Sequence, residues 1–152
     1  MTGTTASPID RHEVVDGLER LIQLLRVLSP AGEISLTTAS TLNRLATGGP
    51  RRLSDLAACE GVTQPAMTQL VSRLERQGLA ERRDHADDRR VVMVHITQTG
   101  RELIERRRVH RATALAALLD ELPAEDEQLI GAALPALRRL TDLGAPPQAR
   151  GR

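Results

Sequence analysis

The chain has 152 residues, 21 basic against 20 acidic side chains, one cysteine, and no Phe, Tyr or Trp. Its 40% apolar and 27% charged composition fits one globular domain, or one whose core a second copy completes, and excludes a disordered chain. A single cysteine excludes an internal disulfide framework and a cysteine-based zinc site, and no run approaches the roughly 20 apolar residues of a membrane helix.

Residues 1–8 carry no basic-then-apolar leader, so the expected address is cytoplasmic, and they read as a mobile arm ending at Pro8. From Ile9 to Leu28, apolar Val14, Leu18, Leu21, Leu25 and Leu28 recur at spacings of four and three, one face of a long helix. Ser29-Pro30-Ala31-Gly32 ends it. A second helix, about Leu36 to Thr47, turns Ala39, Leu42 and Leu45 inward and stops at Gly48-Gly49-Pro50. Arg51-Arg52-Leu53 is a short extended piece. Ser54 is the expected N-cap of a short helix over Asp55–Glu60, with Gly61 at its C′ position.

Thr63 is the next N-cap, and Pro65 sits in the first turn, where a missing N–H costs little. This helix runs to about Gln77, buries Leu70, Val71 and Leu74, and ends at Gly78. Helix, three-residue turn and helix with a polar outer face form the pattern of a helix-turn-helix. Gln64, Thr68 and Gln69 are suited to base edges, with Ala66 and Met67 as apolar contacts to thymine methyls. Leu79 to Arg83 and Val91 to Ile96 then pair as a hairpin around Asp84–Arg90, a wing whose arginines could enter a minor groove.

Thr97 caps a long helix to about Leu122, with Leu103, Ile104, Leu115, Leu118, Leu119 and Leu122 on its apolar face. Arg106, Arg107, Arg108 and Arg111 read as its solvated face, supported by a Glu102–Arg106 pair. Pro123 opens the last helix, Glu125, Asp126 and Glu127 sit at its positive end, and Pro135 should kink it before Gly144. The fold class expected is mainly α (α+β), a winged helix-turn-helix with a two-stranded wing and long flanking helices. The divisions are 1–34 (arm and N-terminal helix), 35–96 (winged helix-turn-helix), 97–144 (C-terminal helices) and 145–152 (flexible tail).

The absence of aromatics implies a leucine-packed helical core and argues against single-strand nucleic-acid modules, which stack bases on rings. Every basic residue is arginine, whose planar fork bonds phosphate and guanine two atoms at a time. A net charge of +1 means that any nucleic-acid binding must come from local clusters.

The stretch from Leu53 to Gly100 resembles the MarR family of winged-helix regulators. The resemblance is carried by Leu70–Leu79 (LVSRLERQGL), the wing Arg82–Arg90 (RRDHADDRR) and Ile96-Thr97 to Gly100 (ITQTG), where only Ile96 replaces the usual leucine. It implies a homodimer whose recognition helices enter successive major grooves of a pseudo-palindromic double-stranded operator. It further implies a repressor released by a small phenolic or other organic acid.

The recognition-helix residues are then Thr63, Gln64, Pro65, Ala66, Met67, Thr68, Gln69, Ser72 and Arg73, and the wing residues Arg82, Arg83, Asp88, Arg89 and Arg90. Asp88 is expected to orient an arginine that reaches the minor groove. Arg51, Arg52 and Ser54 are expected at the DNA backbone, and Arg11, His12 and Arg20 are candidates for an acid ligand, although solvated arginines fit equally. No cofactor is expected, and the four histidines lack metal-ligand spacing.

Cys59 has no resolving partner and has Glu60 beside it, so it reads as an inert small residue rather than a redox sensor. No nucleophile–base pair or Gly-rich phosphate loop suggests an enzyme. The alternative function is a helical dimer whose winged helix binds protein rather than DNA.

Overall fold

The computed structural model describes residues 9–29, 34–84 and 92–144. Its elements are α1 (Arg11–Val27), α2 (Leu36–Gly48), β1 (Arg51–Arg52), α3 (Leu53–Glu60), α4 (Gln64–Arg76), β2 (Ala80–Asp84), β3 (Val92–Ile96), α5 (Gln98–Leu119) and α6 (Ala124–Gly144). The core is one cluster built by α2, α3, α4, the sheet and the start of α5. Leu42 and Leu45 meet Leu56, Met67, Val71, Leu74, Val94 and Leu103 there, all buried. This is the leucine-rich, aromatic-free interior that the composition demands.

Helix boundaries follow side-chain caps. Asp10 accepts from the His12 N–H at 2.9 Å, Ser35 from Thr38 at 3.1 Å, and Thr63 from Ala66 at 3.4 Å. The expected cap at Ser54 is not formed. Helix α3 begins at Leu53 with Arg52 as N-cap and no side-chain cap bond. The reason lies in the sheet: Arg51 and Arg52 pair with Val94 and Met93, so the chain passes from strand to helix with no residue to spare. The expected two-stranded wing is formed by β2 and β3, and β1 adds a third strand in the order β1-β3-β2.

Helix α5 ends at Leu119, three residues earlier than expected, and α6 continues through Pro135. Arg107 was expected in the solvated arginine face, but it is 2% exposed. Gly100, Leu103 and Arg107 are the buried residues of α5, and Ile104 packs against the winged-helix core beside Leu103. Glu105 pairs with Arg108 at 3.8 Å, and Glu102 accepts from Gln98 at 3.1 Å, in place of the Glu102–Arg106 pair expected.

Two glycines shape the junction between α4, the sheet and α5. Gly78 takes φ of +68°, and the Leu79 N–H returns to the Leu74 carbonyl at 2.9 Å, so α4 stops sharply and the chain reverses into β2. Gly100 lies in the first turn of α5, and a Cβ there would stand 2.2 Å from the Leu79 carbonyl oxygen and 2.8 Å from Ile96 Cγ1. Thr97 closes the same junction. Its hydroxyl donates to the Gly78 carbonyl at 2.6 Å and accepts from the Gly100 N–H at 3.1 Å, while its own N–H reaches the Leu79 carbonyl at 3.1 Å. Gly→Ala inside an open helix is stabilising by up to about 1 kcal/mol. At Gly100 the sign should reverse, with about 1–3 kcal/mol lost to overpacking, read as a lower midpoint in denaturant unfolding.

Candidate nucleic-acid interface

Helices α3 and α4, joined by the turn Gly61-Val62-Thr63, build the candidate interface. The inner stripe of α4 is Met67, Val71 and Leu74, at spacings of four and three. The outer face follows by exclusion: Gln64, Pro65, Ala66, Thr68, Gln69, Arg73 and Arg76 are exposed, and Ser72 is half-buried. Gln64, Gln69 and Arg73 make no side-chain hydrogen bond among the described residues, so their polar ends are available to a partner. The Thr68 hydroxyl donates to the Gln64 carbonyl at 2.9 Å, and Thr63 is occupied as the cap.

Met67 corrects the expected set. It is fully buried in the core and cannot reach a thymine methyl. Its period matches Val71 and Leu74, a signal already present in the sequence.

Arg52 and Ser54 are exposed at the start of α3, where the helix dipole favours an anion, and Ser54 donates to Asp55 at 3.4 Å. Arg51 is half-buried, with its guanidinium against Gly48. On β2, Arg83 is exposed and paired with Glu81. Arg82, expected as a wing residue, turns its guanidinium back onto α4, where it pairs with Glu75. Asp88, Arg89 and Arg90 lie outside the described residues.

The proposed ligand residues are not brought together. Arg11, His12 and Arg20 are exposed on α1, and the His12 side chain is 99% in solvent. A cleft of about 500 Å³ lies further along α1 instead, between α1, α2 and α5. It is walled by Ile22, Leu25, Leu36 and Ile104, with Ser40, Asn43, Arg108 and Arg111 as its polar groups. Sequence reasoning missed these two arginines because they sit among others on α5 with nothing in the spacing to separate them.

It also missed Glu60. Its carboxylate accepts from Arg44 at 3.1 Å and Ser40 at 3.0 Å, and ties α3 to α2. Among the described residues, no group of three His, Cys, Asp or Glu could hold a metal ion, and no helix is long and apolar enough to cross a membrane.

A profile of the MarR family matches residues 34–92, from just before α2 to the start of β3. An uncharacterised HTH-type transcriptional regulator of Mycobacterium bovis is 32% identical over 123 residues, covering 81% of this chain and 86% of that protein. The chain belongs to the MarR family. Solved structures agree with the fold of this MarR-family regulator. That of RV1404 from Mycobacterium tuberculosis superposes with a TM-score of 0.74 at 25% identity, covering 89% of this chain and 97% of the other. That of Streptococcus pneumoniae FabT, solved in complex with DNA, gives 0.67 at 24% identity, covering 88% and 99%.

Met67→Ala in this regulator should behave as a core truncation. About 2–5 kcal/mol of stability should be lost in denaturant unfolding. Any folded fraction should discriminate between DNA sequences as the parent does.

Proposed function

We propose that this MarR-family chain is a homodimeric repressor that binds a pseudo-palindromic double-stranded operator and is released by a small organic acid. The observation that carries the DNA reading is the outer face of α4. Gln64 and Gln69 offer amide forks for base edges, and Ala66 offers a methyl. Arg73, with Arg52 and Ser54 at the start of α3, serves the phosphates, and Arg83 joins them from the wing. Arg89 or Arg90, oriented by Asp88, extends the contact into the minor groove.

Dimerisation is supported by helices that have no core of their own. No residue of α1 or α6 is buried, and Leu129, Ile130, Leu134, Leu140 and Leu143 of α6 are 46–72% exposed. A second copy laying its own α1 and α6 against these faces would bury both apolar sets at once. The cleft between α1, α2 and α5 supports the effector: apolar walls with two arginines suit a carboxylate on an apolar body. The chain has no aromatic side chain, so neither copy could stack a ring on it.

Fluorescence anisotropy on labelled duplexes across a salt series tests the reading. Wild type should bind one duplex selected from random DNA far more tightly than a scrambled one, with a steep salt slope, and an organic acid should weaken the complex. Gln64→Ala or Gln69→Ala should cost about 1–3 kcal/mol on the selected duplex and narrow the gap to the scrambled one. Arg90→Ala should weaken binding to every duplex and leave the dimer intact. Equal, weak binding to all duplexes would overturn the operator reading in favour of a protein partner.

Sedimentation equilibrium should give twice the 16.6 kDa chain mass, and Leu129→Glu with Leu134→Glu should lower it towards a single chain.

A further inference from the structure

Arg82 of β2 lays its side chain back on the recognition helix. Its guanidinium pairs with Glu75 and also donates to Ser72 Oγ at 3.1 Å and to the Thr68 carbonyl at 3.3 Å. The Arg82 backbone N–H reaches the other Glu75 oxygen at 3.0 Å. Residues 68, 72 and 75 follow one another along a single stripe of α4 at spacings of four and three. That stripe borders the outer face that holds Gln69 and Arg73. Both charged side chains are only 28–29% exposed, so the pair is less screened than an open surface pair.

We propose that Arg82 is a positioning residue, which fixes the angle between wing and recognition helix and so sets how sharply this regulator distinguishes one DNA sequence from another. The inference rests on the DNA-binding reading above. Gln77, Gly78 and Leu79 join α4 to β2, and Thr97 holds the carbonyls of Gly78 and Leu79, so the base of the wing is fixed where it leaves α4. Beyond that base Arg82 ties β2 sideways to α4, and without this tie the outer part of the wing could tilt. A helix in one groove and a wing in the next bind as one unit only when their relative geometry is held in advance. Base edges demand that geometry. Phosphates tolerate its loss, because backbone contacts carry little sequence information.

The chemistry of the tie also separates it from a phosphate contact. Arg82 spans a carboxylate, a hydroxyl and a carbonyl with donors that point in different directions from one plane. A lysine ammonium would keep the charge but could not span the three.

Three variants decide the matter, measured by anisotropy on the selected duplex and a scrambled duplex of equal length across the same salt series. Arg82→Lys should reduce the ratio of selected to scrambled affinity by about tenfold while leaving the salt slope on scrambled DNA unchanged. Glu75→Gln should do the same. Loss of a carboxylate on a DNA-facing domain would by electrostatics alone tighten binding to both duplexes, so the expected weakening on the selected duplex has the opposite sign. Arg82→Gln should match Arg82→Lys.

If instead Arg82→Lys behaves as wild type while Arg82→Gln lowers the salt slope by about one, Arg82 is a phosphate contact and the proposal is wrong. Glu75→Gln that binds both duplexes more tightly would overturn it equally. Unfolding midpoints and sedimentation mass establish that each variant is folded and assembled. Should Arg82→Gln not fold, Arg82→Lys and Glu75→Gln decide alone. Wild type that binds no duplex would remove the regulator reading itself. Wild-type discrimination retained in all three variants would remove only the role of Arg82.

Discussion

The arrangement of the helix-turn-helix and its wing depends on one close contact, the passage of the first turn of α5 across the end of α4. The Leu79 carbonyl accepts from Thr97 and lies where a Gly100 side chain would be. The Thr97 hydroxyl takes the Gly78 carbonyl, in the turn that follows α4. One threonine therefore caps the start of one helix and holds the turn that ends another, and one glycine allows them to touch. Because α4 carries the outward polar face and α5 leads out of the winged helix, the direction of each is fixed by the other. The T-x-x-G spacing at the family resemblance has this physical content.

Around that joint the chain divides into two kinds of structure. From α2 to the start of α5, apolar side chains close on one another, and the core is complete within a single copy. In α1, the far half of α5 and α6 they do not. Leu21, Ile22 and Leu25 remain 41–50% exposed, as do Leu118 and Leu122 at 40% and 39%. Exposed leucines taken singly are ordinary. A whole helix of 21 residues with none buried is not, because packing of an apolar face supplies most of the stability of a protein helix. The cleft that suits an organic acid opens where these two kinds of structure meet. An occupant there would touch α2 of the closed core and α1 of the open set together.

The arginines show why net charge says little about this surface. Arg44 joins α2 to α3 through Glu60, Arg101 reaches the Ala46 carbonyl at 3.2 Å, Arg82 braces the wing, and Arg107 is buried on α5. These guanidinium groups serve the fold. Those on the outward face, Arg52, Arg73 and Arg76, are set off by their position alone. An overall balance near zero thus coexists with a locally basic face.

Much of this was legible in the chain itself. The periods of α2 and α4, the caps at Thr63 and Thr97, the stops at Gly61 and Gly78, and the alternation of helix, turn, helix and strand are local preferences, and local preferences are written in adjacent residues. Gln64 and Gln69 could be assigned to the outer face of α4 for the same reason, since a helix period fixes which side chains share a side. Met67 was legible too, by its spacing from Val71 and Leu74.

What tertiary structure alone decided are the pairings between residues distant in sequence. Arg51 and Arg52 become a strand only because β3 lies beside them, and that pairing displaces the cap expected at Ser54. Arg82 turns inward because Glu75, Ser72 and Thr68 stand on the facing stripe of α4. Arg107 is withdrawn, and Arg108 and Arg111 line a cleft, according to where α5 crosses α1 and α2. A guanidinium has the same composition and propensity in each of these places. Its role is set by the groups that come within about 3 Å when the chain closes, a distance that no spacing along the sequence encodes.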